Sequence, residues 1–162
     1  MLSQASPRIE QLGRRPELLP VVARWIYEEW WEGEDEASLE KLTGLLRPHL
    51  VPDQIPLTLV ASIGSEPVGT ATLLEHDVGT EKWPELRPWM AAVYVVPEQR
   101  HRGVGGALVK AIVAQAATIG RNVLYLLTVG REEFYAALGW QVLDRAGDST
   151  VMKIDSDLKA IP

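Results

Sequence analysis

Arg100-His101-Arg102-Gly103-Val104-Gly105-Gly106 follows the apolar run Met90 to Val96 and leads into a long apolar-periodic segment, Ala107 to Ile119. Strand, glycine turn, helix is an order suited to holding a phosphate. Glycine permits positive φ and close backbone approach, and the first helical N–H groups have no partner inside the helix. The helix dipole adds roughly half a positive charge at the same end. Two arginines beside the turn supply charge-assisted donors.

On either side of the turn the pattern alternates. Ala91 to Val96 is a nearly continuous apolar strand, as expected when both faces are covered. Leu108, Ile112, Gln115, Ala116 and Ile119 put one stripe of the next helix against the sheet. Val123 to Thr128 reads as a buried strand and Arg131 to Leu138 as a short helix, with Gly139 placed to close it. Gln141 to Arg145 and Thr150 to Ile154 form a last hairpin. Upstream, Gly79 to Pro88 carries prolines, a tryptophan and charges, and reads as an exposed loop. Leu57 to Ile63 and Val68 to His76 flank a Gly64-Ser65-Glu66-Pro67 turn and pair as a hairpin. Arg8 to Leu12 is a short first strand. Leu18, Val22, Trp25, Ile26 and Trp30 mark an amphipathic helix that starts at Pro16 and ends near Gly33. A second short helix runs to Leu46 and is closed by Pro48.

The chain has 162 residues, 46% hydrophobic content and a net charge of −6, so one domain over residues 1–162 is expected and a broad basic surface for nucleic acid is not. It has no cysteine, which excludes disulfides, thiolate metal sites and a covalent cysteine intermediate. Met1 to Glu10 has no apolar core of a leader, and no stretch approaches the roughly 18 apolar residues of a membrane span. A soluble, cytoplasmic protein without membrane association and without a metal is the expectation.

Two common phosphate motifs fail. Leu108 stands where the third glycine of G-x-G-x-x-G belongs, and G-x-x-x-x-G-K-[ST] occurs nowhere. A third pattern fits: Arg100 to Gly105 matches [RQ]-x-x-G-x-[GA], and Phe134-Tyr135-Ala136-Ala137-Leu138-Gly139-Trp140 matches F-Y-x-x-L-G-[FW]. These are paired motifs, in this order, of the GCN5-related N-acetyltransferases (GNAT), which the chain resembles from roughly Leu57 to Ile154.

The resemblance implies an α/β (α+β) fold, a mixed and mostly antiparallel sheet of about seven strands with about four helices, the fourth and fifth strands parallel and splayed. It implies acetyl-coenzyme A as co-substrate, its pyrophosphate on the turn Arg100, His101, Arg102, Gly103, Val104, Gly105 and Gly106. The pantetheine arm is then expected along Val93, Tyr94 and Val95, in the manner of an added strand. Phe134 would flank the coenzyme. Many family members carry an asparagine after the fifth strand; this chain has Thr128-Val129-Gly130-Arg131, leaving Thr128 or backbone groups in its place.

With no cysteine, the acetyl group is expected to pass directly from thioester to amine in a ternary complex. Tyr135 occupies the position where the family often places an acid for the departing thiolate; a phenol of pKa about 10 can protonate a thiolate whose thiol has pKa about 8.5. A lysine-like amine of pKa about 10.4 must lose a proton before attack, so a base or a water chain to one is needed. Glu75, His76 and Asp77, at the end of the third strand, are the candidates, with Glu75 and Asp77 on one face. The acidic, tryptophan-rich stretch Glu28 to Glu36, with Glu29 and Trp30, suits a small-molecule or peptide cationic amine, and Trp83 and Trp89 would form a second wall. A non-catalytic coenzyme A binding or sensing module is the alternative. The last strands offer an edge for a homodimer.

Overall fold

The structure is a computed structural model and describes residues 6–156. Seven strands, β1 (Arg8–Gln11), β2 (Leu57–Ile63), β3 (Glu66–Leu74), β4 (Trp89–Val95), β5 (Val123–Thr128), β6 (Gln141–Ala146) and β7 (Ser149–Asp155), form one sheet in the order β1-β2-β3-β4-β5-β7-β6. Every neighbouring pair is antiparallel except β4 and β5. Among the described residues four α-helices, α1 (Leu19–Ile26), α2 (Leu39–Leu46), α3 (Val104–Thr118) and α4 (Glu132–Ala137), cover the two faces. The class and topology are those of the expected fold.

Alternation along the strands sorts the core into two layers. On one face Leu59, Ala71, Leu73, Met90, Leu126 and Met152 pack beneath Leu108 and Ile112 of α3. On the other, Val60 packs under Val22 and Ile26 of α1 and Leu42 and Leu46 of α2. That second layer continues over β5 and β7 as Trp83, Trp89 and Val151. Both faces of the central strands are therefore covered, the second face by two clusters to which β4 contributes Ala92 and Trp89 respectively.

Four local expectations change. The segment 79–88 is a loop that is mostly exposed, as expected, but not throughout: Thr80 and Trp83 are buried, and Trp83 packs at a tilt on Trp89 at 6.3 Å. The third strand stops at Leu74, so Glu75 and Asp77 lie beyond it and strand alternation does not orient them. The first helix loosens into a π turn at Tyr27–Trp31, where a wide turn carries two bulky tryptophans before the positive-φ Gly33. β4 is only half-buried over Ala91 to Val96, because the neighbour that would cover its edge moves away. Among the described residues no helix is long and apolar enough to cross a membrane.

Candidate functional site

The site begins with a sheet that opens. β4 and β5 share only the positions Trp89↔Tyr125 and Met90↔Leu126, after which no register pairs them. On its other side β4 stays joined to β3, but through a bulge in which Ala92 and Val93 oppose Ala71, with Ala92 at φ 52°. An extra residue sharpens strand twist and turns the strand away from a neighbour. The backbone edge of Val93, Tyr94 and Val95 that faces β5 thus has no strand beside it, which is the geometry an extended ligand needs.

At the end of that edge the chain makes the glycine turn. His101 has φ 62° and Gly103 φ 89°, and the first helical bond of α3 runs from Ala107 N to Gly103 O at 3.0 Å. The N–H groups of Val104, Gly105 and Gly106 precede it and have no place in the helical ladder. A Cβ on Gly103 would stand in open space with nothing within 4 Å, so the turn is a cradle that no other part of the chain covers. Val104 is buried and offers only its backbone, whereas His101 and Arg102 are exposed. Arg100 is already engaged: Nε donates to the Val95 carbonyl at 2.8 Å and the guanidinium lies 5.5 Å from the Tyr94 ring centre.

The two sequence motifs meet physically at α3. A Cβ on Gly105 would touch Phe134 Cζ at 3.6 Å, and one on Gly106 would touch Leu138 Cδ2 at 3.7 Å. α4 therefore lies against the first turn of α3, at a distance that a Cβ at either glycine would also fit. Tyr135 makes edge-on contacts with Phe134 at 5.0 Å and Trp140 at 6.2 Å, and burial raises its phenol above the ordinary value, with Arg131 opposing. Beside it a cleft of about 440 Å³ is lined by Gly130, Arg131, Glu132, Glu133 and Phe134. Thr128 is buried at the last β5 position, opposite Thr150, so its side chain belongs to the sheet rather than to this cleft.

On the opposite face, Tyr94 packs against Trp25 at 5.6 Å and Trp30 at 6.4 Å, with Trp30 45% exposed and Glu29 open to solvent. Trp25 was visible in sequence as a helix-face residue, but its contact with Tyr94 spans too many residues for periodicity to reveal. Trp89 is not a wall of the acceptor site: it is 1% exposed, and its indole donates to the Leu86 carbonyl at 2.7 Å. Glu75 is held in an ion pair. Arg121 clasps both its oxygens, and that hydrogen bonding lowers the carboxyl below its usual range.

Asp77 fares differently. Its segment turns back over the sheet, the Thr80 hydroxyl donating to the Asp77 carbonyl at 2.6 Å, and a Cβ on Gly79 would stand 3.5 Å from Leu127, a residue past the last β4–β5 pair. Burial raises the Asp77 carboxyl above its ordinary value, while the Val78 N–H opposes. His76 is exposed.

Comparison with known proteins fits this geometry. Residues 55–142 match the family model of the acetyltransferase (GNAT) domain. No curated protein matches in sequence. Among solved structures, a GNAT-family acetyltransferase from Desulfovibrio desulfuricans superposes with a TM-score of 0.70 at 18% identity, over 93% of this chain and 99% of that one. An aminoglycoside 6'-N-acetyltransferase complexed with coenzyme A gives 0.69 at 16% identity, over 92% and 97%. The N-acetylglutamate synthase of Neisseria gonorrhoeae, complexed with coenzyme A and L-arginine, gives 0.64 at 18%, over 93% of this chain and 33% of its own. With the family model spanning more than half of the chain, and the open β4–β5 pair, the cradle and the α3–α4 contact all in one sheet, the chain belongs to the GNAT acetyltransferase family.

Proposed function

We propose that the protein is an N-acetyltransferase that moves the acetyl group of acetyl-coenzyme A to a primary amine by direct attack. The observation that carries this reading is the parting of β4 from β5 next to the glycine turn, which leaves one strand edge and one set of helix N–H groups in line. The residues fit the donor. The N–H groups of Val104, Gly105 and Gly106 would take the pyrophosphate, the Val93 to Val95 edge the pantetheine amides, and the Arg131–Phe134 cleft the remainder.

The amine would approach from the Tyr94, Trp25 and Trp30 side, where Glu29 and its acidic neighbours favour a cation. Its lone pair attacks the thioester carbon, its proton passes to Asp77 directly or through water, and the carbon–sulfur bond breaks with the electron pair on sulfur. Tyr135 protonates that thiolate. A raised phenol keeps its proton through neutral pH, as an acid must.

Thiol release from acetyl-coenzyme A, followed across polyamines, aminoglycosides and peptide N-termini, tests the reading. A Tyr135→Phe variant is expected to bind coenzyme A normally and to lose about 100-fold or more of its turnover. Full turnover in that variant removes the acid role. Tight coenzyme binding with no amine-dependent release in the native protein favours a non-catalytic binding module.

A further inference from the structure

β6 is the outer strand of the sheet and is exposed along almost its whole length, Val142 at 46% and Leu143 at 44%. An edge so little covered needs something else to hold it. Asp144 and Arg145, adjacent in sequence, reach to opposite faces.

Asp144 Oδ2 accepts from Trp83 Nε1 at 2.8 Å, and its Oδ1 accepts from the Arg145 N–H at 2.8 Å. Trp83 is the buried centre of the segment that carries Asp77 over the sheet, on the α1–α2 face. Arg145 turns the other way. Its Nη1 and Nη2 donate to Glu132 Oε1 at 2.7 Å and Oε2 at 3.1 Å, and the Thr150 hydroxyl donates to Glu132 Oε1 at 2.6 Å. Glu132 opens α4, one turn before Tyr135. α4 has six residues, no buried residue and no side-chain N-cap. A helix of that length does not hold itself in water.

Resting on the roles given above to Asp77 and Tyr135, we propose that Asp144 and Arg145 are positioning residues that tie the two walls of the site to one strand. Asp144 fixes the acceptor-side segment through Trp83, and Arg145 fixes the helix that carries Tyr135 through Glu132. Both attachments are charge-assisted and made by planar or paired groups, which favours one orientation over many. The Arg145–Glu132 pair is solvent-exposed, 61% and 32%, so its effect is on where α4 sits rather than on global stability.

Amide hydrogen exchange on the whole chain, with calorimetric coenzyme A binding, tests this. Asp144→Ala is expected to speed exchange over 77–88 by about fivefold or more, with 131–138 unchanged and coenzyme A affinity within about twofold of native. Arg145→Ala is expected to do the reverse: faster exchange over 131–138, coenzyme A bound about fivefold more weakly, and 77–88 unchanged. The double variant Glu132→Arg/Arg145→Glu is expected to restore exchange in α4. Unchanged exchange in both variants, or loosening of the whole β6–β7 hairpin in either, overturns the tie. Failure of the native protein to bind coenzyme A removes the acetyltransferase reading instead, and the exchange pattern still decides the tie.

Discussion

The Arg100 Nε–H donates to the carbonyl of Val95, the last residue of β4, at 2.8 Å, and the same guanidinium lies over the Tyr94 ring. The turn that would hold a pyrophosphate is thus fastened to the strand that would hold the pantetheine arm. Arg100→Ala is expected to weaken coenzyme A binding by about tenfold with little change in unfolding midpoint, because the residue is exposed and its contacts are to surface groups. Arg100→Lys is expected to recover little of this, since an ammonium has no planar face to stack and a different donor geometry. Calorimetric titration of the three proteins checks it; equal affinities would show that Arg100 does not hold the turn.

Glu75 and Arg121 join the end of β3 to the start of β5, away from the glycine turn. A paired carboxylate with a lowered pKa is a poor proton acceptor. Glu75→Gln is expected to leave amine-dependent thiol release within about threefold of native, and to cost under about 1 kcal/mol of stability, since the side chain is 41% exposed and solvent screens the pair. Asp77→Asn is expected to lower turnover by about 100-fold. The opposite ranking of the two variants would return the base role to Glu75.

These two carboxylates also mark what was legible in the sequence. The succession of elements, the two motifs and the glycine turn could be read because each rests on local spacing: Gly103 precedes a helix, and Phe134 to Ala137 lie in another, whereas the arrangement of the strands across the sheet came with the family resemblance that the motifs carry. Glu75 and Asp77, two residues apart, looked equivalent. Their difference comes from Arg121, Thr80 and Leu127, which are distant in sequence and adjacent only once the sheet forms. Trp89 and Trp83 illustrate the same limit, since aromatic residues in a Pro-rich stretch give no periodicity by which to separate a cleft wall from a core layer.

His49 lies at the end of the α2 layer, 5% exposed, with Nδ1 2.7 Å from Thr58 Oγ1, which in turn is 2.9 Å from Thr72 Oγ1. Burial lowers its pKa from 6.5 to about 4. The folded protein therefore holds the ring neutral where the unfolded chain would protonate it. Stability is fully present above pH 6.5 and is lost as pH falls through about 4, by an amount on the order of 3 kcal/mol. Urea unfolding at a series of pH values is expected to show this loss in the native protein and a flatter profile in His49→Gln between pH 6.5 and 4. Parallel profiles would mean that the imidazole protonates without leaving its place.

Gly69 stands on β3 opposite Val95, where the strand edge, the glycine turn and α3 converge. A Cβ there would lie 2.8 Å from the Tyr94 carbonyl oxygen and 3.0 Å from Leu108 Cδ1. The first of these is backbone, which cannot swing away, so either β4 or the start of α3 must shift. Gly69→Ala is expected to cost about 1–3 kcal/mol in urea unfolding and to weaken coenzyme A binding as well, because the displaced groups are those of the proposed donor site. Gly44→Ala supplies the contrast. That glycine lies within α2 with nothing within 4 Å of a built Cβ, so alanine there is expected to stabilise by about 0.5–1 kcal/mol and to leave binding alone. If Gly69→Ala proved as harmless as Gly44→Ala, β4 would be free to move against β3, and a rigid strand edge could not be what positions the coenzyme.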